Sequence, residues 1–228
     1  MSLADRLELM AHLHSDRPAI VAGNDVIAEY LSRRNETVTV VPSLIDVHDY
    51  ALRRHYQGQT LTLGWIGSST TARYLKRLVP IVERFAYESS RLVRILVVGG
   101  HAPQMSGVEV LEQSWSTSAE RRALSEMDIG LMPLDDTPWS RGKCAYKALQ
   151  YMASGIPAIA DNVGISAQVV EGAGYVASDD AGWAEGLREL SGDATLRSRL
   201  GEVGRHRAEA RYSFERWLPT LESIWRAP

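Results

Sequence analysis

Along the chain, short aliphatic runs alternate with segments whose apolar positions recur at helical spacing, the two periodicities that separate buried strands from amphipathic helices. "AIVAG" (19–23) reads as a strand, "NDVIAEYLSRR" (24–34) as a helix and "VTVVP" (38–42) as a strand stopped by a proline. "LIDVHDYALRRHYQGQ" (44–59) is polar and reads as a linker. From "LTLGWIG" (61–67) the rhythm becomes regular. The helix 71–89, with Pro80 as a kink, follows it, and then come the strands "RILVVGG" (94–100) and "VEVLEQ" (108–113). A helix at 118–127 leads to the strand "DIGLMPL" (128–134). The stretch "RGKCAYKALQYMASGIPAIAD" (141–161) reads as a helix, a Gly-Ile-Pro stop and the strand 158–160. A short helix (165–172), a strand (173–177) and a helical tail complete the chain.

Strand and helix in strict alternation predict right-handed crossovers and a doubly wound parallel sheet with helices on both faces, an α/β fold. Residues 60–228 are enough for one complete unit of this kind. Residues 1–59 offer at most two strands and two helices, too little for a second core. They read as the remnant of another domain with its linker, or as an extension of the sheet. On this reading the chain is a piece of a longer protein.

Composition narrows the partners. Of 228 residues, 45% are hydrophobic and 23% charged, with a net charge of −3, so no global positive field recruits nucleic acid. No apolar run has the length of a membrane span, and the N-terminus lacks the apolar core of a secretory signal. The single cysteine, Cys144, forms no intrachain disulfide and fits a reducing, cytoplasmic compartment. The six histidines, His12 and His14 among them, show no metal-ligand spacing, so no metal is expected.

Ligands of a doubly wound sheet sit at the carboxyl ends of its strands, close to helix N-termini. Three loops qualify. In "WIGSSTTARYL" (65–75), Gly67, Ser68, Ser69 and Thr70 are small enough to bring backbone N–H groups to a phosphate, and Arg73 lies within the first turn. A plain Ser/Thr helix cap explains the same residues. In the 141–153 helix, Lys143, Lys147 and Gln150 fall at i, i+4 and i+7 on one face, and Cys144, Ala148 and Met152 on the core face. Two solvated lysines four apart repel by a few tenths of a kcal/mol, which a bound diphosphate removes. Gly142 adds backbone access and Arg141 a further cation. The third loop, "ADNVGISAQVV" (160–170), offers Gly164 and Ile165 as another wall, or is an ordinary connection. Trp115 and Trp139 lie near strand ends, where they flank a base or sugar or are simply part-buried.

The order of these motifs, and "DIGLMPLDDTPWSRGKCAYKALQYMASGIPAIADNVG" (128–164) above all, resembles the group 1 (family 4) glycosyltransferases. The similarity is to their C-terminal, donor-binding half, a Rossmann-like domain of the GT-B fold, and it covers residues 19–228. It implies a nucleotide-diphosphate sugar as donor substrate, no cofactor, no metal, and retention at the anomeric carbon. It further implies a sugar or lipid-linked acceptor bound by the missing half, a role in polysaccharide biosynthesis, and a cytoplasmic protein peripheral to the inner face of the membrane. Arg73 and Lys147 take the catalytic role of stabilising the leaving diphosphate. Gln150 stands where the family has a ribose-binding glutamate. Ser68 stands where it has a second cation, and Gly142 where it has a sugar-binding glutamate. Two alternatives stay open: a non-catalytic nucleotide-binding module, motivated by the departures at Ser68 and Gly142, and a sugar-nucleotide epimerase of the same fold, which needs its own acid and base groups in the cleft.

Overall fold

The computed structural model describes residues 20–33 and 37–226; His12 and His14 lie outside them. The strands are β1 (Ile20–Ala22), β2 (Val38–Val40), β3 (Thr60–Ile66), β4 (Leu92–Val98), β5 (Val108–Gln113), β6 (Ile129–Met132), β7 (Ala158–Asp161) and β8 (Gly174–Ala177). The α-helices are α1 (Asp25–Ser32), α2 (Ser69–Ala72), α3 (Val79–Glu88), α4 (Thr117–Glu126), α5 (Pro138–Arg141), α6 (Tyr146–Ala153), α7 (Ser166–Val170), α8 (Asp180–Gly192), α9 (Ala194–Tyr212) and α10 (Phe214–Arg226).

Six strands form one all-parallel sheet in the order β5-β4-β3-β6-β7-β8. The chain builds outward from β3 to β5, returns to the centre, and builds outward again from β6 to β8. The doubly wound sheet is therefore observed, with its direction reversing between β3 and β6. Two cores cover its faces. One gathers Leu149, Tyr151, Met152 and Ile156, and the other Leu63, Trp65, Leu75 and Trp183. β1 and β2 pair with each other in a separate parallel ribbon and do not extend the large sheet.

Three local expectations need correction. The helix expected over 71–89 is α2, a 3-10 segment (Arg73–Leu78) and α3. Pro80 lies in the first turn of α3, where its missing N–H leaves no helical bond broken. The helix expected over 141–153 is also divided. Gly142 ends α5, residues 142–145 form a loop, and α6 begins at Tyr146. In the third loop, the helix expected from 165 to 172 spans Ser166–Val170, with Ile165 flanking it and Gly164 outside it.

The polar segment 44–59 packs on the sheet domain. Ile45 and Val47 are buried in its core, and the Arg53 guanidinium donates to the Asp128 carboxylate at 2.9 Å.

Candidate functional site

Between β3 and β6 the ladder is two residue pairs long, Leu63 with Ile129 and Gly64 with Gly130. Beyond it the strands diverge toward their carboxyl ends, the place where this topology holds ligands. The chain leaving β3 forms one wall of that crevice. The α5–α6 segment leaving β6 forms the other.

On the first wall, Ser68 flanks α2, and its N–H donates to the Thr71 hydroxyl at 3.2 Å. The Gly67–Ser68 backbone thus leads into a helix that starts at Ser69, two residues before the expected 71. Gly67 lies between two side chains. A β-carbon there would come within 2.3 Å of the Trp65 ring and 2.9 Å of Lys147 Cε. Only a residue without a side chain lets the second wall approach this closely.

From that wall, the Lys147 ammonium lies 5.3 Å from the centre of the buried Trp65 ring. Burial, and then the charge of Lys143, lower its pKa to about 8. The Lys143 ammonium donates to the Tyr74 hydroxyl at 3.3 Å and sits 4.4 Å from that ring's centre. The Arg73 guanidinium donates to the same hydroxyl at 3.3 Å, and its carbon lies 5.1 Å from the ring centre. Tyr74 is thus a platform shared by two cations, one from each wall. Burial pushes its phenol up, but contacts with Ser140, Arg73 and Lys143 outweigh this and hold it below the ordinary value. Arg73, Lys143 and Lys147 have no carboxylate ion-pair partner among the described residues. Arg141, expected to add another cation, is instead held by both oxygens of Asp136, at 2.5 and 2.8 Å.

The nearest acid, Asp135, is occupied. It accepts from the hydroxyls of Ser140 and of Thr137, the latter at 3.1 Å. Burial works against its ionisation, but these hydroxyls, Tyr74 and Arg73 hold its carboxyl below the usual range. The crevice therefore offers three cations without an ion-pair partner among the described residues, Asp135 acting on Arg73 only at longer range, a combination suited to a phosphate or diphosphate. The expected Gly67 and Ser68 N–H donors are instead taken by the Val98 carbonyl and the Thr71 hydroxyl.

The expected lysine–glutamine face is split. Lys143 is in the loop before α6, Lys147 is in the first turn, and Gln150 is buried, its amide donating to Glu120. Glu120 also accepts from the Trp115 indole at 2.8 Å. Gln150, Glu120 and Trp115 thus form a polar bridge from α6 to α4, beside the cations. Trp115 keeps 59% of its surface exposed, a flat face available for stacking. Cys144 turns toward Gly23 and Asn24 rather than to the sheet, because the loop conformation replaces the expected helix. Gly142 closes α5 and Gly164 packs on the backbone of Arg141. Ile165 packs against the core of the α6 face.

Tyr74, Glu120 and Asp161 escaped the sequence reading. Asp161 ends β7, and its carboxylate accepts from Arg77 at 2.5 Å, the Leu134 N–H at 2.7 Å and the Trp183 indole at 2.8 Å. The one available signal was the aspartate at the carboxyl end of an otherwise apolar strand. Among the described residues no group of three His, Cys, Asp or Glu side chains gathers as a metal site. A groove of about 920 Å³ runs between α3 and α8, from Pro80 and Asp180 to Arg91 and Gly192, away from Arg73, Lys143 and Lys147. No described helix is long and apolar enough to cross a membrane.

Residues 60–193 match the family model described as glycosyl transferases group 1. No curated protein matches the chain. Among solved structures, the sucrose-phosphate synthase of Thermosynechococcus elongatus is 16% identical, with a TM-score of 0.72 over 98% of this chain and 61% of its own. Anabaena HepE, in complex with UDP and glucose, is 12% identical, with a TM-score of 0.74 over 99% and 68%. WaaG, a glycosyltransferase involved in lipopolysaccharide biosynthesis, is 15% identical, with a TM-score of 0.69 over 91% and 62%. This chain spans about three fifths to two thirds of the length of these proteins.

Proposed function

The chain belongs to the group 1 glycosyl transferases, with the Rossmann-like fold of a GT-B C-terminal half, and on that premise we propose that it binds the donor, a nucleotide-diphosphate sugar. The carrying observation is the meeting of Arg73, Lys143 and Lys147 at the β3–β6 crevice without a carboxylate ion-pair partner among the described residues. A diphosphate there takes hydrogen bonds from all three. It also gains most in the transition state, when the bond from the anomeric carbon to the β-phosphate oxygen breaks and negative charge grows on that oxygen. Gly67, Ser68, Ser69 and Thr70 supply the helix start behind it. Gln150, buried against Glu120, acts on the ribose side only through that carboxylate, and Trp115, whose indole Glu120 fixes, offers its exposed face to the base.

The complexes of Anabaena HepE with UDP and glucose, and with UDP-glucose, support a donor of this class. The finer parts of the reading belong to the same proposal: transfer with retention, without a metal, to a sugar or lipid-linked acceptor held by the other half. So do a role in polysaccharide biosynthesis and a place at the cytoplasmic face of a membrane. Side-chain cations in the position where a metal would screen the diphosphate support metal independence.

Calorimetry of the 228-residue chain with UDP, GDP and ADP tests the reading. At least one diphosphate binds, and Lys147→Ala weakens it by roughly 1–3 kcal/mol, as for a hydrogen bond to a charged group. Undiminished binding in that variant sinks the assignment.

A further inference from the structure

Residues 142–145 carry Lys143, and this loop is gripped from both sides. On one side Gly164, at φ +56°, packs so closely that a β-carbon on it would come within 2.5 Å of the Arg141 carbonyl oxygen. On the other side a β-carbon on Gly23 would lie 2.6 Å from Cys144 Sγ. Beside Gly23 stands Asn24, 2% exposed at the start of α1. Its Oδ1 accepts from the Ile27 N–H at 2.9 Å and caps the helix. Its Nδ2 donates to the carbonyls of Gly142 at 3.0 Å and Lys143 at 3.3 Å, and reaches Cys144 Sγ at 3.4 Å.

Within the same loop, buried Ala145 holds the left-handed conformation at φ 52°. A residue with a β-carbon disfavours that region and stays there only where its surroundings impose it. The asparagine amide is suited to impose it, because one side chain carries both an acceptor for the helix and two N–H donors for the loop.

We propose that Asn24 is a positioning residue for the donor site. Its amide holds the 142–145 backbone in the shape that presents Lys143 to the diphosphate. Because Asn24 lies in the β1–α1–β2 unit and the loop in the sheet domain, the placement of that unit governs the cation. The inference rests on the diphosphate reading of the site.

The test compares Asn24→Ser with Asn24→Ala in the full chain. Serine restores the helix cap but not the double donation, and alanine restores neither. Two readouts are taken on folded protein, verified by thermal unfolding: calorimetric affinity for the best-binding of UDP, GDP and ADP, and amide hydrogen exchange. Both variants lose roughly tenfold in diphosphate affinity, the equivalent of one hydrogen bond to a charged group. Both exchange faster at residues 142–146, while the amides of α1 slow back toward wild type only in the serine variant. Affinity restored by serine, or unchanged exchange at 142–146, overturns the proposal. If the wild-type chain binds no diphosphate, the diphosphate reading has failed. The Asn24 clamp is then judged on exchange alone: unchanged exchange overturns it, and faster exchange upholds the hold on the loop.

Discussion

The Tyr151 hydroxyl lies 3.2 Å from the carbonyl oxygen of Gly64, inside the fork where β3 leaves β6. It lies 3.2 Å from the Leu131 carbonyl as well and accepts from the Ile66 N–H at 3.3 Å. One phenol from α6 thus serves the Ile66 N–H and the Leu131 carbonyl beyond the short ladder and reaches back to Gly64 at its last pair. Burial pushes its pKa up, so it remains a neutral donor. The crevice stays open above it because the strands need not close to satisfy each other.

Tyr151→Phe removes this service without changing the shape of the ring. The Ile66 N–H is then buried without a partner, a loss of about 1–3 kcal/mol. Urea denaturation followed by circular dichroism should show a lower midpoint at unchanged slope. An unchanged midpoint means that water enters the fork and replaces the hydroxyl.

Asp128 makes stability fall in acid. Burial opposes its ionisation, but His55, the Thr62 N–H and Arg53 outweigh this and lower its pKa from 3.8 to about 2. The folded state therefore holds its proton less tightly than the unfolded chain. The stabilisation is present above pH ~4 and is lost as pH falls from ~4 to ~2, on the order of 2 kcal/mol in all. Melting temperatures across that window should fall steeply in wild type. In Asp128→Asn they should be lower at pH 7 and flatter toward acid.

Lys147 has the opposite chemistry and the same direction of pH slope. Its folded pKa of about 8 lies below the ordinary 10.5, so the unfolded chain binds more protons between these values. Stability gains from this group as pH rises from ~8 to ~10.5, and the gain is absent in Lys147→Met. Diphosphate affinity moves the other way, falling as the ammonium deprotonates above pH ~8. Calorimetry at pH 7 and pH 9 reads the second effect and chemical denaturation at pH 7.5 and pH 10 the first. Equal pH profiles for wild type and Lys147→Met contradict both.

Asp161 holds together three elements through Arg77, the Leu134 N–H and the Trp183 indole. Asparagine keeps one acceptor oxygen but turns an N–H₂ toward a donor, leaving buried N–H groups facing each other. Asp161→Asn should cost about 1–3 kcal/mol, as for leaving a buried donor unsatisfied, since the Arg77 partner is itself half-exposed. Denaturation at pH 7 measures it, and a loss below 1 kcal/mol shows that the network rearranges around the amide.

Much of this architecture was readable in the chain. Aliphatic runs between helical patterns gave the parallel sheet, because strands buried on both faces must be apolar throughout. "VEVLEQ" coincides with β5 residue for residue. The small residues after Trp65 mark a helix start, since a helix entering at a strand end needs small, capping side chains. The crevice itself was legible in outline, as basic residues following two separate strands.

What the sequence could not carry is how those residues meet. Helical spacing placed Lys143, Lys147 and Gln150 on one face, whereas the loop at 142–145 takes Lys143 off the helix and Gln150 turns inward to Glu120. That loop exists because Asn24, more than a hundred positions earlier, bonds its carbonyls, and local periodicity cannot report such a partner. Tyr74 carries no signal of its own in the sequence, and only the folded chain sets it beneath Arg73 and Lys143 together. Periodicity along the chain decides which surfaces are buried, because burial is set residue by residue by the cost of exposing apolar area. The placement of charge in the crevice depends on contacts between distant segments, and these are settled only when the whole chain packs.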